Sequence, residues 1–171
     1  RAQRNNIQRS SSISLGNKKF LVLLIEFSDL PFTVDNPQQA FSNLLNQEGY
    51  NKNGATGSSK DYYYENSSGA FDPSFDVYGP IKVSGGYAEY GSNDAYGFEP
   101  TDYLLAEACR LADKDIDFSD YDLDSDGLVD NVFFFYAGHN EAEGGGSDRI
   151  WPHAWAIYRD QVYLDGVQVF Q

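Results

Sequence analysis

Asp122-Leu-Asp124-Ser-Asp126-Gly127-Leu128-Val-Asp130-Asn-Val132-Phe-Phe-Phe-Tyr136 sets a loop pattern directly against a strand pattern. Alternate aspartates, a glycine and a fourth aspartate match the first nine positions of a calcium-binding loop. In that register the side chains of Asp122, Asp124 and Asp126 are positions one, three and five, and Gly127 makes the sharp turn. The carbonyl of Leu128 is position seven, and Asp130 is position nine. Position twelve of an EF-hand is a glutamate, and here it is Phe133. The apolar run Val132–Tyr136 that follows reads as a buried strand, not as the exiting helix of an EF-hand. The expectation is a calcium loop leading into a core strand. From 115 to 130, seven of sixteen residues are aspartate with no basic residue between them, so a loop without a cation carries strong like-charge repulsion. The competing reading is a solvated acidic turn.

Working outward, Lys19 to Phe27 is an apolar run of strand length, as expected of a strand covered on both faces. Asp35 or Asn36 can cap a helix with Pro37 at its first position, in which Ala40, Phe41, Leu44 and Leu45 form one stripe. Ser58 or Ser59 caps a second helix through Tyr62, Tyr63 and Tyr64, ended by Gly69. Those three tyrosines cannot share one side, so at least one is expected to pack and another to face solvent. Phe75 to Val83 is extended, and Gly79-Pro80 confines it to an edge or a bulge. Gly85 to Gly97 reads as a loop. Pro100 opens a third helix to about Ala112. Val162 to Phe170 is a hairpin about Asp165-Gly166, a pair suited to a type I′ turn. This order predicts an α+β (mixed α/β) domain with about three helices and a twisted mixed sheet. Residues 1–16 read as a flexible arm and residues 17–171 as one folded unit.

Composition bounds the function. At 171 residues the chain can build one core, and 13 Tyr with 12 Phe are far from a disordered composition. A net charge of −14 leaves no basic patch to displace counterions, which argues against nucleic acid and anionic membrane surfaces. No apolar run reaches the length of a membrane span. The chain has no Met and begins at Arg1, so a processed or truncated piece is expected. No signal peptide is visible. The single Cys109 excludes an intrachain disulfide, and its apolar neighbours place it as an inert thiol on a buried helix face.

Several segments together resemble the immune inhibitor A family of secreted bacterial zinc metallopeptidases. They are Leu21 to Asp29, Asp61 to Gly69, Asp122 to Gly138, Glu141 to Gly146 and Ile150 to Trp155, in that order, spanning roughly residues 18–158. The resemblance implies a zincin-like N-terminal subdomain of an endopeptidase, acting outside the cell or, alternatively, in the periplasm or at the cell surface, on protein or peptide substrates. It also implies zinc held by an H-E-x-x-H helix and a third ligand. That motif is not in this sequence, whose two histidines, His139 and His153, lie fourteen residues apart. Two histidines at i, i+4 with an intervening glutamate are what such a zinc site uses. No catalytic residue is therefore carried over. The zinc helix is expected in a downstream remainder of the domain, and the chain by itself is expected to be inactive.

Other residues admit weaker readings. His153, between two tryptophans, and His139 with Glu141 in the Gly138–Ser147 loop are candidates for a cleft or its rim, with structural or exposed histidines as the default. Asp61 and Glu65 form an i, i+4 pair better suited to a surface, dipole-favouring role than to acid–base chemistry. Asp29 reads as a turn aspartate in preference to a second cation ligand. Gly144-Gly-Gly146 lacks the lysine of a phosphate loop. From a different class, a calcium-dependent binding or adhesion module with a Tyr/Trp surface stays open, as does a degenerate peptidase homologue that kept calcium and lost zinc.

Overall fold

The computed structural model describes residues 15–93, 100–144, 146–152, 154 and 160–169. Strand β1 (Gly16–Glu26) lies at the centre of a three-stranded sheet between β2 (Phe71–Lys82) and β3 (Val132–Tyr136), and both pairings are parallel. Leu21 to Ile25 have no exposed surface at all. A parallel centre strand is covered on both faces, which is why this segment is apolar without alternation. Burying each such side chain stabilises the fold by roughly 1.5–3 kcal/mol.

The two faces have different covers. On one, Val22, Leu24, Phe75 and Val77 pack with Leu45 and Phe41 of helix α1 (Pro37–Asn46). On the other, Leu21 and Leu23 meet Ala106, Cys109 and Ala112 of helix α4 (Thr101–Ala112), together with Phe118, Tyr121, Val162 and Val167. Burial raises the Cys109 thiol far above its ordinary value, as an inert core cysteine requires.

The outer edge of β2 is closed by side chains of α1. Asn46 donates to the Phe75 carbonyl at 2.9 Å and accepts the Phe75 N–H at 2.8 Å, while Gln38 donates to the Val77 carbonyl at 2.7 Å. Open strand edges invite pairing with other chains, and these amides occupy the groups that would do so. The β1–β2 register slips between Leu23 and Ile25, opposite Gly79. There φ is +113° and a Cβ would stand 2.6 Å from the Leu24 carbonyl oxygen, so the close approach needs glycine.

Expectation and structure agree on the α+β class, on β1 and α1, and on helix α2 (Ser59–Asn66) behind Ser58. They agree also on the interrupted edge strand β2 and on the hairpin β4 (Tyr163–Leu164)–β5 (Val167–Gln168). Positive φ at Asp165 (51°) and Gly166 (84°) gives its turn the I′ form. Among the described residues antiparallel pairing is confined to that hairpin.

Three expectations are corrected. First, β3 is an edge strand among the described residues, mostly half-buried with Phe133 44% exposed. Its unbroken apolar run arises because both of its faces meet packed side chains, including Phe41 against Phe135 at 5.0 Å. Second, the glycine-rich stretch after β2 contains a five-residue helix, α3 (Tyr87–Gly91), in which Tyr87 and Tyr90 are buried. The remote Asp29 carboxylate accepts the Tyr87 N–H at 2.9 Å, a cap that local sequence does not reveal. Third, Tyr62, Tyr63 and Tyr64 are all exposed, by 63%, 46% and 49%, because α2 lies on the rim of the sheet and only edge contacts such as Tyr63 on Phe71 form. Residues 1–14 of the expected arm lie outside the described residues.

Candidate metal centre

The acidic loop is built on its first aspartate. The two carboxylate oxygens of Asp122 accept the N–H groups of Asp126 at 3.1 Å and Gly127 at 2.9 Å, which folds the chain back on itself. Ser125 and Gly127 take φ of 61° and 88° to complete the turn, and glycine adopts this conformation at no steric cost. Asp130 closes the loop: its side chain accepts the Leu123 N–H at 2.7 Å, and its own N–H donates to the Tyr121 carbonyl at 3.1 Å.

This folding brings one carboxylate oxygen each from Asp122, Asp124 and Asp130 within 4.8 Å of one another. Burial raises the Asp130 carboxyl above its ordinary value, the Leu123 N–H opposes that, and the charges of Asp124, Asp126 and Asp122 add to it. Asp126 stands outside the group; its Oδ1 accepts the Leu128 N–H at 2.9 Å. Of the five residues that the sequence proposes for a cation, the structure gathers three carboxylates and gives Asp126 a backbone partner.

The loop is fastened at both ends. Gln168 of β5 donates its N–H to the Gly127 carbonyl and accepts the Val129 N–H, both at 2.9 Å. The Asp165 side chain in the hairpin turn accepts the Phe118 N–H at 2.8 Å. On the sheet side, the buried Tyr121 donates to Asp76 at 2.9 Å, and Lys19 reaches Asp120 at 3.1 Å. Burial first, and the Asp76 bond second, push the Tyr121 hydroxyl well above its ordinary range. None of these ties is legible in the sequence, because each joins residues roughly forty to a hundred positions apart.

The cleft candidates do not converge on the loop. The His139 side chain is 89% exposed with Glu143 3.9 Å away, while the His139 carbonyl accepts the Tyr87 hydroxyl at 2.6 Å. Glu141 donates its backbone N–H to the Ile150 carbonyl, which also accepts the Tyr136 hydroxyl. His153 lies outside the described residues.

Three carboxylates form a hard, all-oxygen site, which suits calcium or magnesium better than zinc, whose sites are built mainly from His and Cys with at most a carboxylate added. Among the described residues no other three His, Cys, Asp or Glu side chains come together in this way. No helix among them is long and apolar enough to cross a membrane.

A sequence model described as immune inhibitor A peptidase M6, catalytic domain, matches residues 8–169. The chain is 28% identical over 198 residues to immune inhibitor A of Bacillus thuringiensis subsp. alesti, covering 94% of this chain and 29% of that protein. It is also 28% identical over 201 residues to the pre-pro-metalloprotease PrtV of Vibrio cholerae serotype O1, covering 94% of this chain and 22% of that one. The chain thus spans less than a third of the length of these relatives.

Proposed function

The chain belongs to the immune inhibitor A peptidase M6 family, matched through its catalytic domain, and from that premise we propose that it is the N-terminal part of a secreted zinc metalloendopeptidase's catalytic domain, stabilised by calcium. In this reading the folded unit is the stretch expected at residues 17–171, whose first strand already starts at Gly16. The zinc ligands and the general base belong to the remainder of the domain, and this stretch has no peptidase activity alone. Its role is to supply the sheet, the helices packed on it and the acidic loop against which an active site is assembled. The substrate is a protein or peptide.

The observation that carries the calcium assignment is the approach of Asp122, Asp124 and Asp130 to within 4.8 Å. Calcium binds oxygens at about 2.4 Å, so two oxygens on one ion stand no farther apart than about 4.8 Å. Two like charges about 4 Å apart repel by roughly 1 kcal/mol in water and 4 kcal/mol near a protein surface. The exposed Asp124 keeps this pair repulsion toward the lower figure, and a divalent cation reverses its sign. Outside the cell, where calcium is abundant, even a weak site of this kind fills. The Leu128 carbonyl and the Asp126 carboxylate complete the proposed ligand set, and His139, Glu141 and His153 are its candidates for a substrate-cleft rim.

Native mass spectrometry of the chain, paired with casein hydrolysis in added zinc, tests the reading. Bound calcium, no bound zinc and no cleavage are expected. The complete polypeptide that contains this stretch is expected to cleave casein when given both ions. Cleavage by the 171-residue chain alone removes the inactivity assignment, and failure of the complete polypeptide removes the peptidase.

A further inference from the structure

Away from the acidic loop, a groove of about 480 Å3 lies between the end of β2 and the last turn of α4. Pro80, Ile81, Leu111 and Ile116 give it an apolar wall, and Leu111 is 43% exposed despite its chemistry. Lys82 and Lys114 border it, together with one carboxylate, Asp115. Both lysines are exposed, and in a chain of net charge −14 a lining with two cations and one anion runs against the surrounding field.

Their partners inside the molecule are weak. Among the described residues Lys114 meets only its neighbour Asp115, at 3.8 Å with both side chains largely exposed, a contact that contributes little. No ion pair forms at Lys82 among them. The Gln38 amide that also lines the groove is committed to the Val77 carbonyl, which leaves the two ammonium groups as the charged donors facing an occupant.

We propose that this groove docks a short extended segment of another protein, one bearing one or two carboxylates beside apolar side chains. The lysines select the carboxylates and the wall selects the apolar groups, within a volume typical of ligand sites. The −14 body repels a long polyanion before it can reach the groove, so the acidic stretch must be short. Pro80 has no N–H to offer, so the segment is held by its side chains and does not add a strand to β2. This docking is independent of the peptidase reading, because it needs neither metal nor turnover.

The test uses the 171-residue chain and a fluorescein-labelled peptide, Leu-Asp-Phe-Glu-Leu blocked at its C-terminus, followed by anisotropy and by amide chemical shifts. Saturable binding is expected, with shifts at Ile81, Leu111 and Ile116. Lys82→Ala and Lys114→Ala are each expected to weaken it by about two- to fivefold, the range of an exposed ion pair. Lys82→Glu with Lys114→Glu should weaken it by more than tenfold, and circular dichroism should find that variant folded, since both lysines are exposed. If the reversal does not fold, Lys82→Gln with Lys114→Gln carries the same test with a smaller loss. Unchanged affinity in the folded double variant overturns the proposal, as does equal binding of the Asn/Gln version of the peptide. Competition by octanoate at equal affinity overturns the choice of a peptide as occupant.

Discussion

Asp61 and the Asp122–Asp130 loop are two acidic turns that each lead into a regular element, and they handle charge in opposite ways. The Asp61 carboxylate accepts the N–H groups of Ser58 and Gly49, both at 2.8 Å, and its pKa lies below the ordinary value, chiefly through the Ser58 N–H. Asp130 also accepts a backbone N–H, yet its pKa is raised by burial and by three neighbouring aspartates. A lowered pKa marks a carboxylate that the chain satisfies by itself. A raised one, in a group of three whose oxygens lie within 4.8 Å, marks a carboxylate whose burial and acidic neighbours disfavour its charge.

The largest effect is expected at the acidic loop. With calcium at a hundred times its dissociation constant, a cation that binds only the folded state stabilises it by about 2.7 kcal/mol. Asp124→Ala should lose most of that increment and should melt no lower than the parent in EDTA, since no described donor depends on the Asp124 side chain and its removal relieves repulsion with Asp122 and Asp130. Asp126→Ala should lose less in calcium, because Asp126 lies outside the close group, and up to about 1 kcal/mol in EDTA through its bond to Leu128. Scanning calorimetry of the three proteins with and without calcium reads both differences. Parent and Asp124→Ala melting together in saturating calcium would remove the calcium assignment, and with it the contrast between the two turns.

At the other turn the expected effect is smaller and indifferent to calcium. Ser58 accepts the Asp61 N–H at 3.2 Å while Asp61 accepts the Ser58 N–H, a reciprocal capping box. Ser58→Ala should destabilise the fold by about 1 kcal/mol, equally in calcium and in EDTA. A calcium-dependent difference in urea unfolding would show that the two turns are coupled.

What was legible in the sequence follows the same division between local and remote. The strand β1, the cap pairs Asp35 or Asn36 and Ser58 or Ser59, of which the structure uses Asn36 and Ser58, the Asp165-Gly166 turn and the acidic register are all written within a few neighbouring residues. Burial on two faces, helix starts and I′ turns are likewise decided locally. The α3 helix was missed because its cap, Asp29, comes from 58 positions away. The exposure of β3 was missed because a run such as Val132–Tyr136 records that both faces meet apolar groups but not whether a second strand pairs beside it. In the candidate site the aspartates could be named in advance. Which three of them converge could not, since that depends on Asp122 and Asp130 turning toward backbone N–H groups of the folded loop.

The finest discrimination between the turns is a matter of pH. Asp61 has a folded pKa below its ordinary 3.8, so between those two values the unfolded chain binds more protons than the folded one. Its contribution is therefore complete above the unfolded value and disappears as pH falls through the folded value. Asp61→Asn removes the charge but keeps a side-chain oxygen for the Ser58 and Gly49 N–H groups. At neutral pH this variant should be less stable than the parent, and the gap should close below about pH 4 as the parent's carboxylate is protonated. Urea unfolding of both proteins from neutral pH down to about pH 2 measures that gap directly. A gap that stays constant into acid would mean that the Asp61 charge contributes nothing and that its oxygens act as neutral acceptors. The lowered pKa would then cease to distinguish the turn whose carboxylate the chain satisfies from the loop whose carboxylates crowd one another.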